Sequence, residues 1–195
     1  GIMTVNLFGM PSDLKKISSK KSNFSNFNFK KIPNILGVLN LTPDSFSDGG
    51  KFNKKNKGVS HAINLYKTGA SLVDVGGEST RPGSKEVNEN REWYRINKTL
   101  KLIVKKIPIS LDTRKSAIME NGIRMGVKLI NDVSGLSHDP KTINVLKKYK
   151  IPFVIQHSVG TPENMQKKAK YKNELLDIYA VSYTHLRAHE TEFDL

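Results

Sequence analysis

The chain has 195 residues, 37% of them hydrophobic, which suffices for one domain with a core of its own. It has no cysteine, so disulfides, thiolate metal sites and cysteine nucleophiles are excluded. The formal net charge of +14 does not mark a nucleic-acid binder, because lysine supplies 26 of the 32 basic residues and they are scattered, with no arginine cluster and no aromatics interleaved in a basic stripe.

Residues 1–31 are rich in Lys, Ser, Asn and Phe without a steady period, and read as a lead-in segment, either a hairpin or disordered. From Asn34 onward, short apolar runs alternate with amphipathic stretches, the signature of repeated βα units and a parallel sheet. Strands are predicted at 35–39, 72–75, 107–112, 129–133 and 152–156. Helices fall between them: one from about 59 that Gly69 ends, one over 88–105, and one from about 116 that Gly126 ends. The second carries Trp93, Ile96, Leu100 and Ile103 on one face, with Trp93 as a core anchor. Asp139-Pro140 and Thr161-Pro162 each place a capping side chain before a proline at a first helical position. The apolar run at 151–155 is too short to span a bilayer, and no signal-peptide pattern opens the chain, so a soluble cytoplasmic protein with no membrane partner is expected. Residues 181–195 contain no lysine and break the preceding period, which points to a non-native tail. His185 and His189 lie inside it, and their spacing of four is read as chance rather than as a zinc pair.

The chemistry concentrates where strands end. The first strand runs into Leu39-Asn40-Leu41-Thr42-Pro43-Asp44-Ser45-Phe46-Ser47-Asp48-Gly49-Gly50, a loop with more hydroxyls and carboxylates than a turn requires. The second leads into Asp74-Val75-Gly76-Gly77-Glu78-Ser79-Thr80-Arg81-Pro82-Gly83-Ser84, where glycines allow close approach of backbone to ligand, and Thr80 and Arg81 offer donors for phosphate or carboxylate. The alternative is that Arg81 pairs with Glu78 or Asp74 and merely holds the loop. The third and fourth strands end in Ser110-Leu111-Asp112-Thr113-Arg114-Lys115 and Ile130-Asn131-Asp132-Val133-Ser134-Gly135. A carboxylate and an amide facing one cavity can read a ring edge that offers N–H donors; otherwise Asp112 caps the next helix and Asn131 satisfies backbone. His157 closes the fifth strand and reads as structural rather than catalytic. No P-loop, dinucleotide glycine fingerprint or nucleophile elbow occurs.

These four strings, in this order, resemble the loops of dihydropteroate synthases, and the resemblance covers about residues 32–180. The fifth, Gln156-His157-Ser158-Val159-Gly160-Thr161-Pro162, departs from the family's usual Met-His-Met. The resemblance implies a (β/α)8 TIM barrel, of which about five strands are present here, and a transferase of folate biosynthesis that is a sulfonamide target. It would condense 6-hydroxymethyl-7,8-dihydropterin pyrophosphate with p-aminobenzoate. By the same resemblance Asn40 would help hold Mg²⁺ on the pyrophosphate and, with Asp48, belong to the catalytic set, Asp48 facing the cationic centre. Thr80, Asp112 and Asn131 would contact the pterin substrate, while Phe46, Arg81 and Pro82 build the p-aminobenzoate pocket. It also admits a homodimer at full length. With fewer strands than a barrel needs, the 195 residues alone are expected to be inactive and to self-associate through open sheet edges. Two other readings are a pterin-binding module of the folate-dependent methyltransferase type, against which the Thr42–Asp48 loop argues, and a basic nucleic-acid binder.

Overall fold

The computed structural model describes residues 35–42, 57–79 and 84–155. The lead-in, the Thr161-Pro162 cap and the tail at 181–195 lie outside the described residues. Five strands follow in chain order: β1 (Leu36–Asn40), β2 (Leu72–Gly76), β3 (Ile109–Asp112), β4 (Leu129–Asp132) and β5 (Phe153–Ile155). Between them run α1 (Lys57–Lys67), α2 (Glu89–Ile103), α3 (Ser116–Met125) and α4 (Thr142–Tyr149). All five predicted strands are present with boundaries moved by a residue or two, and each pairs in parallel with the next to give the order β1-β2-β3-β4-β5. Parallel neighbours need a crossover of a dozen residues or more, and each helical stretch supplies one.

Local chemistry sets the helix limits. Asn88 accepts the amide of Arg91 at 2.9 Å and opens α2, with Glu89 and Glu92 in the first turn where the helix dipole favours anions. Gly69 (φ 116°) and Gly126 (φ 108°) take the left-handed backbone that ends α1 and α3, as expected. The reading of Asp139-Pro140 needs correction. The helix starts at Thr142, not at Pro140, and the Asp139 carboxylate divides its acceptors between the amide of Lys141 (2.9 Å) and that of Ser116 (2.8 Å), so it caps the start of α3 across the loop.

The sheet has two unlike faces. On one, Leu39, Val73, Val75, Ile109, Leu111 and Ile130 meet Ala62, Ile96, Leu100, Ile103, Ile118, Met119 and Leu146 from the helices in the main core, with Trp93 packed at its edge. The other carries a smaller apolar cluster, with Leu36, Leu72 and Leu129 low on the strands and Val154 level with Asn131 on the last, while Val38 is 55% exposed. Above that cluster the face turns polar, and this is where the sequence placed its candidate ligands. Among the described residues no helix is long and apolar enough to cross a membrane.

Candidate ligand site at the strand ends

Register puts the predicted side chains in one line. Asn40 pairs with Gly76, Gly76 with Asp112, and Asp112 with Asn131, so the last positions of β1, β2 and β3 and the last but one of β4 form a single row across the sheet. Partners in a parallel ladder share a face, hence Asn40, Asp112 and Asn131 stand on the same side. Gly76 leaves the gap that lets its neighbours lean together: a Cβ there would lie 3.2 Å from Asp112 Oδ2 and 3.4 Å from Asn40 Oδ1.

One contact shows that this face is concave. The Asn131 amide Nδ2 donates to Asp74 Oδ2 at 2.9 Å, reaching from β4 to β2 across β3. Strands two apart in a flat sheet are separated by roughly 10 Å, so these short side chains meet only because the sheet curls toward them, as a barrel wall does. Asp74 lies one step below the row, opposite Ser110, and both are buried. Its Oδ1 has no hydrogen-bond partner among the described residues, and neither has Ser110 Oγ. This arrangement replaces both bland alternatives. Asn131 is held by a side chain rather than by backbone, and Asp112 does not cap α3, whose first amide belongs to Asp139.

Negative charge is crowded here. Burial pushes the Asp74 carboxyl up, with Asn131 and the adjacent Ser110 hydroxyl pulling the other way although Ser110 closes no hydrogen bond of good geometry. Asp112 goes well above its ordinary value, first from loss of hydration and then from repulsion by Asp74, Glu92, Asp132 and Glu78. Asp112 is half-buried, and loss of hydration is the largest cause of its shift. Asp132, fully buried at the end of β4, is raised by burial and accepts from Ser134. Dry carboxylates that keep an oxygen without a hydrogen-bond partner, as Asp74 Oδ1 does among the described residues, are what a ligand rich in N–H donors would satisfy.

A second cluster, which sequence reasoning missed, lies behind the row. Lys115 Nζ sits between Glu78 Oε2 (2.7 Å) and Glu92 Oε2 (2.6 Å), Thr113 Oγ1 donates to Glu92 Oε1 (2.7 Å), and Arg114 Nη2 reaches Glu78 Oε1 (3.0 Å). Glu78 is thus held by Arg114 and Lys115, and the Arg81 proposed as its partner lies outside the described residues. Burial raises Glu92 despite its partners, whereas at Glu78 the hydrogen bonds from Arg114 and Lys115 outweigh burial and hold it low. A signal was available for Glu92, which precedes Ile96 by four and Leu100 by eight and so shares the buried face of α2. Gly77 packs directly on this turn. A Cβ at position 77 would fall 2.9 Å from the Glu92 carbonyl oxygen and 2.8 Å from Ile96 Cγ2. Gly77→Ala is therefore expected to lower stability by about 1–3 kcal/mol, measurable by urea denaturation, because backbone must yield.

Of the predicted site residues, the structure brings Asn40, Asp112 and Asn131 together. Phe46, Asp48, Thr80, Arg81 and Pro82 lie outside the described residues, as does His157. A cavity of about 1200 Å³ opens elsewhere, on the outer side between the first turns of α2, α3 and α4, lined among others by Asn88, His138 and Lys141. None of the row residues lines it, so geometry and charge, not size, identify the site.

A curled parallel sheet with helices on its convex side and polar groups at the carboxyl ends of its strands belongs to the (β/α)8 barrels, and the described residues supply five of the eight strands with the four helices that connect them. Residues 36–192 match the family model described as pterin binding enzyme, and the chain belongs to that family. It is 41% identical over 165 residues to the dihydropteroate synthase of Clostridium beijerinckii, covering 84% of this chain and 57% of the relative. Among solved structures it resembles the Xanthomonas albilineans dihydropteroate synthase with 4-aminobenzoic acid (TM-score 0.71, 32% identity, 82% of this chain and 56% of that one). It likewise resembles the Anaplasma phagocytophilum enzyme with bound 6-hydroxymethylpterin-monophosphate (TM-score 0.65, 33% identity, 80% and 62%). The chain spans about half the length of the curated relatives it matches.

Proposed function

We propose that the chain forms the pterin-facing half of a dihydropteroate synthase, which joins 6-hydroxymethyl-7,8-dihydropterin pyrophosphate to p-aminobenzoate with release of pyrophosphate. The observation that carries this is the register row: Asp112 accepts from the ring's amino and N–H edge, and Asn131, one amide proton already committed to Asp74, offers its remaining polar atoms in a fixed orientation. Support for p-aminobenzoate over a methyltransferase substrate comes from the Thr42–Asp48 string and from the Xanthomonas relative holding 4-aminobenzoic acid.

In the reaction the amine nitrogen attacks the pterin methylene, the carbon–oxygen bond to pyrophosphate breaks, and the amine loses a proton. No covalent bond to the protein is needed. The site's tasks are to fix the ring, face the cationic methylene and exclude water. Asp112 and Asn131 perform the first. Thr80 adds a contact to the pterin substrate, Asp48 faces the cationic centre, and Phe46, Arg81 and Pro82 enclose p-aminobenzoate. For Mg²⁺ the donor chemistry fits: Asn40 presents an amide oxygen above Gly76, beside Asp112 Oδ2, a hard ligand of the kind this ion takes. Bound there, it would neutralise charge on the departing pyrophosphate. We place the enzyme in the cytoplasm as a homodimer when all barrel strands are present.

Titration calorimetry of the chain with 6-hydroxymethylpterin is expected to give saturable one-to-one binding that Asn131→Ala weakens at least tenfold. Heat that is unsaturable, or unchanged in the variant, would sink the reading. Assayed alone, the 195 residues are expected to release no pyrophosphate, since a closed barrel takes ~250 residues.

A further inference from the structure

The loop that leaves β2 is tied down by a set of contacts that the reaction chemistry does not call for. Arg95 Nη1 donates to the Gly77 carbonyl at 2.7 Å, Ser84 Oγ to the Ser79 carbonyl at 2.6 Å, and the Val87 amide to Glu78 Oε1 at 2.9 Å. Outgoing and returning strands of the loop are thereby joined twice, at 78 with 87 and at 79 with 84. The Glu78 carboxylate that makes the lower tie is fixed from below by Lys115 and from the side by Arg114. Lys115 is 4% exposed and its ammonium also meets the fully buried Glu92. Because Thr113 directly follows Asp112 and Lys115 comes two residues after that, the same group that anchors the loop is anchored to the strand end carrying the ring-reading carboxylate.

We propose that Lys115 is a positioning residue: through Glu78 it sets the stem of the β2 loop, residues 77–79 and 84–87, at a fixed height relative to Asp112 and so to the strand-end row. The inference rests on the reading of that row as the substrate site. A lysine suits the task, since one ammonium can donate to two carboxylates from different elements at once, where the planar guanidinium of arginine would favour one carboxylate in bidentate fashion. Burial makes the contact unforgiving, because neither carboxylate can substitute water for the missing cation.

The test uses the full chain without substrate. Hydrogen–deuterium exchange is followed at residues 77–79 and 84–87 and compared with β3, β4 and α3. Lys115→Met is expected to speed exchange of the Val87 amide at least tenfold, with β3, β4 and α3 changed less than twofold. Uniform acceleration throughout the chain would show Lys115 to be a general stabiliser and would overturn the proposal, as would no change at the stem. If Lys115→Met does not fold, Glu78→Gln, which keeps an acceptor for Val87 but loses the charge, is expected to give a smaller acceleration confined to the same residues; an effect spread beyond them overturns the proposal.

A pH series adds a readout that simple loss of packing would not move. The groups facing Glu78 are Arg114 and Lys115 from the turn after β3, Glu92 and Arg95 from α2, and Glu86 from the loop itself, which His138 approaches at 3.2 Å. With Glu78 held below the ordinary carboxylate range by its cations, protection at Val87, corrected for intrinsic rate, should survive acidification through pH ~4.3 and fail only below it. In Lys115→Met the failure should move to higher pH. An unmoved midpoint counts against the proposal. A stem that behaves as described in a chain that binds no pterin would sink the functional reading and leave the clamp standing.

Discussion

Asp112→Ala is expected to cost about 2–3 kcal/mol of pterin affinity, close to a hundredfold, while raising the thermal midpoint of the free protein at neutral pH. The loss follows from removing a charged acceptor of the ligand's N–H groups, each such bond contributing about 1.5–3 kcal/mol. The gain follows from the surroundings of Asp112. Its carboxyl is raised well above the ordinary value by burial and by repulsion from Asp74, Glu92, Asp132 and Glu78, so the folded state resists its ionisation and the unfolded state does not. A raised carboxyl destabilises the fold as pH climbs past the unfolded value near 3.9, and the penalty is relieved on acidification. The stability advantage of the variant should therefore be present at pH 7 and shrink toward pH 4. Calorimetric melting at both pH values, together with pterin titration, checks it; a variant less stable than the parent at pH 7 would refute the account.

Leu111→Ala is expected to destabilise by about 2–5 kcal/mol, the usual cost of a cavity at a fully buried leucine. The same side chain limits α3, because a Cβ on Gly122 would collide with Leu111 Cδ2. Gly122→Ala alone should cost about 1–3 kcal/mol by overpacking. The pair is coupled: the methyl added at 122 enters the space vacated at 111, so the double variant should be less destabilised than the two losses added. Denaturant melts of the four proteins measure the coupling, and strict additivity would mean that helix and strand are not in the contact described.

How far the sequence could be read depended on whether a residue's role was local. The five strands were legible from apolar runs, and Gly69 and Gly126 from the backbone they must adopt. The strand-end row was legible in part, since Asn40, Asp112 and Asn131 each close a run and the barrel class puts ligands at such ends. Asp74 was not picked out, although its position two before Gly76 places it on the same face, because a carboxylate inside a buried strand has meaning only once its partner 57 residues away is known. The pairing of Lys115 with Glu78 and Glu92 was illegible for the same reason, although the helical position of Glu92 marked that one residue as buried. Asp139 shows the converse error: its proline neighbour suggested the start of its own helix, while its carboxylate serves the start of another.

The strand-end row also governs which changes in chain length this protein can absorb. A side chain's choice between the two sides of a sheet is decided by counting residues, and the count is shared by four neighbours. One residue inserted inside β3 would carry Leu111 to the place of Asp112 and Asp112 to that of Thr113, against the Glu92 carboxylate, dismantling site and core at once. The same residue added to the connection between α3 and β4 would leave every pairing as it stands. Insertions and deletions compatible with function should therefore collect in the connections and be missing from the five short strands.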